Sequence, residues 1–98
     1  MTISKKNKEF LDNLIEYYTN EAESYKEMAQ EYSPKINSVT DTAFGIIIGC
    51  IYSSFLQAYS NENETPSSED IREFTEMMVV NSRLIKNAIA EKNNLLSE

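Results

Sequence analysis

From Thr42 to Asn61 the chain carries no charged residue, although Asp, Glu, Lys and Arg make up 26% of its 98 residues. A helix over that stretch would rise roughly 30 Å, the width of a small domain or of a bilayer's hydrocarbon. On such a helix Phe44, Ile48, Ile51 and Phe55 form one stripe, and Ile46, Ile47 and Cys50 a second. Gly45, Gly49, Ser53 and Leu56 form a third. A helix that is apolar on every side must be covered on every side. This segment therefore decides how the rest of the chain is arranged.

The flanking sequences supply two amphipathic helices. In the first, expected over about 4–32, Leu11, Tyr18, Tyr25 and Tyr32 fall seven apart, with Leu14 and Met28 between them. That is a helical stripe of period 3.5, interrupted by Glu21. Ser33-Pro34 ends it, because the residue before proline is pushed out of the α region. The central helix is expected over about 35–60, with Ser38 and Asp41 as a capping pair. Ser60 to Glu64 has no apolar residue to hold it and should fray. Ser67 with Asp70 repeats the cap pattern before a third helix over about 67–95, which carries Ile71, Phe74, Met77, Met78, Leu84, Ile85, Ala88 and Ile89. Two glycines and two prolines are too few for a turn-rich β fold.

The expected fold is all-α: an up-down-up three-helix bundle in one domain, with the apolar helix at its centre, completed by dimerisation. In that topology Lys5, Lys6 and Lys8 meet Glu69, Asp70 and Glu73, while Glu27 and Glu31 meet Arg83, Lys86 and Lys92. Exposed pairs are worth about 0.2–1 kcal/mol each, enough to favour a register and too little to create a fold. Two neighbours cover about two of the three apolar faces of the central helix. The spare face, with Gly45, Gly49, Ser53 and Leu56 and with Tyr52 beside them, is the expected interface. Small residues four apart let two backbones approach closely. A second copy is the simplest cover; a different protein or an apolar small molecule is the alternative. A membrane span over 42–61 is a further reading. Thr42, Ser53, Ser54, Gln57, Ser60 and Asn61 weigh against it, as does bracketing by Asp41 and Glu62 where lysine or arginine is expected.

Chemistry is narrowed by composition. There is no histidine, so Ser–His and Cys–His nucleophile pairs and Glu-x-x-His metal sites are excluded. Carboxylates four apart share helix faces, but a hard cation needs oxygen ligands converging from several elements. Cys50 lies among isoleucines, where a thiol is a packing residue. No catalytic residues, cofactor or metal site are expected, and the reading is of a non-enzyme.

Nine basic against sixteen acidic residues give a net charge of −7, which repels nucleic acid and anionic membrane and favours basic partners. A lone cysteine and no apolar leader after Met1 suit a cytoplasmic setting. The chain therefore reads as a small acidic helical protein that works by protein–protein association, most simply as a homodimer. The alternative is an inhibitor or immunity-type protein whose acidic face, centred on Glu16, Glu23, Glu27 and Glu31, mimics nucleic acid for a basic partner. A small membrane-associated protein is the third reading.

Overall fold

Three of the helices begin behind a serine whose hydroxyl takes up an orphan backbone N–H. Ser4 Oγ accepts from the Asn7 N–H at the start of α1 (Lys5–Asn20), which is followed by α2 (Ala22–Gln30). After a 3₁₀ turn at Ser33–Lys35, Ser38 Oγ accepts from the Asp41 N–H and opens α3 (Val39–Asn61). Ser67 and Asp70 exchange both bonds of a capping box at 3.0 and 3.1 Å ahead of α4 (Ser68–Val80), and α5 (Ser82–Leu96) follows. A serine cap of this kind is worth about 1 kcal/mol. The computed structural model describes residues 3–96, and the side chains of 3–90. No strand occurs among the described residues; the protein is all-α.

The outer helices differ from their expected extent. The helix expected over 4–32 is two helices, parted at Glu21, and the one over 67–95 is two, parted at Asn81. Polar side chains bonding back to helix carbonyls mark both breaks. Thr19 Oγ1 donates to Ile15 O at 2.6 Å, Asn81 Nδ2 to Met77 O at 2.8 Å, and Ser82 Oγ to Val79 O at 2.8 Å. Such bonds compete with the i→i−4 ladder and bend helices. Asn20 and Asn81 line one shallow cleft, so the two breaks lie side by side.

The central helix also ends differently. In place of fraying, Asn63 takes a left-handed conformation (φ 59°); its N–H bonds to Ser60 O, and the Glu64 N–H reaches Tyr59 O. This pair of bonds is a Schellman ending, with asparagine where glycine is commonest. Asn63→Ala should therefore cost about 1 kcal/mol, whereas Asn63→Gly should match or exceed the natural stability in thermal melts.

Packing centres on α3, which lies against α1, α2 and α5. Ala43, Ile47, Ile51, Phe55 and Tyr59 give it one buried row at spacing four. Facing them are Leu11 and Ile15 from α1, Ala22 and Ala29 from α2, Phe74 and Met78 from α4, and Ile85 and Ile89 from α5. Phe55 stacks on Phe74 at 4.8 Å and meets Tyr59 edge-on at 5.0 Å. Lys26 lies on the same inward row of α2, its stem buried along apolar neighbours in the manner of a snorkelling lysine.

Charge pairing ties α1 to α3 and α4 at one end. Lys8 lies 2.6 Å from Glu73, Lys6 lies 3.6 Å from Glu62, and the Ile3 N–H donates to Glu73 Oε1. At the other end Lys86 departs from its expected partners. It pairs with Asp41 at 3.1 Å and lies over the Phe44 ring, linking α5 to the first turn of α3. The side chain of Lys92 lies outside those described.

The tyrosine row is only partly inside. Tyr18 and Tyr25 are half-buried and in edge contact at 5.5 Å, but Tyr32 is 58% exposed and Met28 46% exposed. The break at Glu21 interrupts the stripe, and α2 stops at Gln30 before Tyr32 can be carried on to the core.

Candidate functional site

The molecule measures 46 × 25 × 20 Å, about two helix diameters thick. No helix in such a body is enclosed, and α3 leaves one face open. Along it Gly45, Gly49, Ser53 and Leu56 are all exposed. An added Cβ at Gly45 or Gly49 would meet nothing within 4 Å, and neither glycine has positive φ. Each glycine inside a helix costs about 1 kcal/mol relative to alanine. Nothing in the fold of the single chain requires either one.

Tyr52 departs from its expected place on this face. It turns toward α4 and packs on Phe74 at 5.2 Å and Phe55 at 6.2 Å, half-buried. It borders the face and helps hold α3 against α4. Cys50 is likewise half-buried, on the side facing Tyr18 and Tyr25. Burial, together with the neighbouring Cys50, pushes both phenols above their ordinary range. Val39–Asn61 is long and apolar enough to cross a membrane by length and composition, and only 22% of its most apolar window is buried within the chain.

The acidic residues lie elsewhere. Glu16, Glu27 and Glu31 are exposed and Glu23 is half-buried. Glu16 belongs to α1, Glu23 and Glu27 to α2, and Glu31 is the residue capping the end of α2, so the helix break at Glu21 divides the set. No group of three or more metal-ligating side chains converges among the described residues.

A second feature went unseen in the sequence. At the end of the bundle where α1 and α4 begin and α3 stops, Lys6, Asn7, Tyr59, Glu62, Glu64 and Asp70 line a cleft of about 590 Å³. The Schellman ending of α3 holds Glu62 and Glu64 in one wall, and the capping box of α4 holds Asp70 in another. Only the caps of three separate helices bring these residues together. The signal present in the chain was Asn7, a polar residue on the apolar row Ile3, Leu11 and Ile15.

Tyr59 is buried beneath this cleft, with its hydroxyl hydrogen-bonded to the Asp70 carboxylate. Burial, and then the Asp70 charge, push its phenol up to about 12. A phenol that ionises near 10 when unfolded stabilises the fold fully below pH 10, and that contribution is lost as pH rises from 10 through 12. The amount is on the order of 2 kcal/mol. Urea unfolding at pH 9 and pH 11.5 should therefore show a smaller alkaline loss for Tyr59→Phe than for the natural chain. Equal losses would remove Tyr59 as the cause.

Comparison with protein-family models, with curated proteins and with solved structures finds no match to this chain.

Proposed function

We propose that this protein acts by association, as a homodimer in which the open faces of two α3 helices meet across a two-fold axis. Each protomer is then an up-down-up three-helix bundle in which α1 with α2, and α4 with α5, serve as single jointed columns beside α3. The observation that carries this reading is the pair of glycines with open space above them on an uncharged helix. Placed against a second copy, Gly45 and Gly49 let the backbones come close and Ser53 and Leu56 fill the remainder of the contact. In this reading the chain carries out no catalysis; it is a cytoplasmic assembly or regulatory component. Glu16, Glu27 and Glu31 are exposed in the protomer and stay available to a basic partner in this reading.

Light scattering in detergent-free buffer tests the proposal. The expected molar mass is twice that of one 11.3 kDa chain. A single-chain mass at high micromolar concentration would overturn it. Recovery only in detergent or lipid would favour the membrane reading, which the length and apolar composition of Val39–Asn61 support.

A further inference from the structure

The inward row of residues leading into and along α1 is Ile3, Asn7, Leu11 and Ile15, four apart, and Asn7 is its one polar member. Asn7 is 6% exposed. Its backbone N–H is taken by Ser4 Oγ, while its side-chain amide makes no hydrogen bond among the described residues. No side-chain nitrogen or oxygen shut off from solvent lacks a partner among those residues, so this amide opens on to the clefts that Asn7 lines. A leucine at the same position would have completed the apolar row. A polar side chain there gives up that packing, and local departures of this kind are expected at functional or strained positions.

Two connected clefts meet at Asn7. The larger is the polar end cleft, of a volume usual for small-molecule sites. The smaller, about 230 Å³, shares Lys6, Asn7 and Glu62 with it and adds the apolar surface of Phe10 and Ala58. Charge selects the ligand. Three carboxylates (Glu62, Glu64 and Asp70) face one ammonium, Lys6, which lies 3.6 Å from Glu62. The starts of α1 and α4 each contribute about half a positive charge and the end of α3 about half a negative one, leaving the described lining at roughly −1.5. Asp70 is engaged by the Ser67 N–H and the Tyr59 hydroxyl. Glu64 makes no ion pair among the described residues, and its backbone is fixed by the 2.9 Å bond to Tyr59 O.

We infer that this end of the bundle is a binding site for a small primary alkylammonium compound, held by Glu64 and the Asn7 amide oxygen with its chain along Phe10 and Ala58. The ammonium donates to the carboxylate and to the amide, giving the Asn7 side chain a partner that it lacks among the described residues. The site is at the end of α3 and is independent of the proposed dimer face.

The test is a titration of ¹⁵N-labelled protein with n-pentylammonium chloride at constant ionic strength, followed by the Asn7 side-chain amide and the backbone signals of Glu64 and Thr65. Saturable shifts are expected, with none from sodium chloride or sodium pentanoate. Glu64→Gln should weaken binding at least fivefold. Asn7→Leu should abolish saturation while melting no lower than the natural protein, because it completes the apolar row. Shifts that stay linear, that pentanoate reproduces, or that persist unchanged in both variants would overturn the assignment. So would a lowered melting temperature for Asn7→Leu, which would make Asn7 a structural residue.

Discussion

On the proposed dimer, Gly49→Leu should halve the mass of the protein in solution and leave its helix content unchanged. The position above Gly49 is empty for at least 4 Å in the single chain, so the new side chain meets no internal obstacle. Within one protomer the change even removes a helix-interior glycine, a gain of nearly 1 kcal/mol. Against a second α3, however, the isobutyl group stands where two backbones must approach, and the contact is wedged apart. The two effects have opposite signs, which makes the outcome diagnostic. Light scattering should give the mass of one chain, and thermal unfolding at low concentration should show a melting temperature equal to or above that of the natural protein. An unchanged dimer mass would show that α3 does not supply the interface. A lowered melting temperature with unchanged mass would mean that α3 is covered from within the chain.

Truncation of Phe55 should have the largest effect on stability, about 3–5 kcal/mol. Phe55 is 1% exposed and is the largest fully buried side chain. Its ring touches Tyr52, Tyr59 and Phe74, so it joins the late half of α3 to α4 through a continuous aromatic cluster. Phe55→Ala leaves a void among rings that cannot collapse without moving α4. Domains of this size are stable by about 5–15 kcal/mol in total, so the variant should sit near the edge of folding at 37 °C. Chemical denaturation measures this directly. A loss under 1 kcal/mol would show that α4 is not anchored through Phe55.

The parts of this fold legible in the sequence are those set by neighbouring residues. Ser67 and Asp70 are three apart and cap each other whatever the rest of the chain does, and the same locality made Ser38 readable as the start of α3. Helical character throughout follows from long-period apolar stripes. The breaks at Glu21 and Asn81 were not legible as breaks, because Thr19, Asn81 and Ser82 are tolerable helix residues until their side chains bond to the carbonyls behind them. On the helical wheel Tyr52 adjoins Gly49, so the sequence alone sets it beside the open face. Its inward turn depends on Phe74, a residue more than twenty positions away. The end cleft was hidden for the same reason, since its walls come from three helix ends that only tertiary packing unites. Asn63 was the missed local clue: an asparagine after a long helix suits the left-handed residue of a Schellman ending.

The paired breaks carry a mechanical consequence. Glu21 and Asn81 fall at one level of the bundle, where the shared cleft places Asn20 beside Asn81, while α3 passes that level without interruption. Among the described helices only α3 crosses that level as one continuous α-helix, so stiffness there rests on a single helix, and the outer side of that helix is the glycine face.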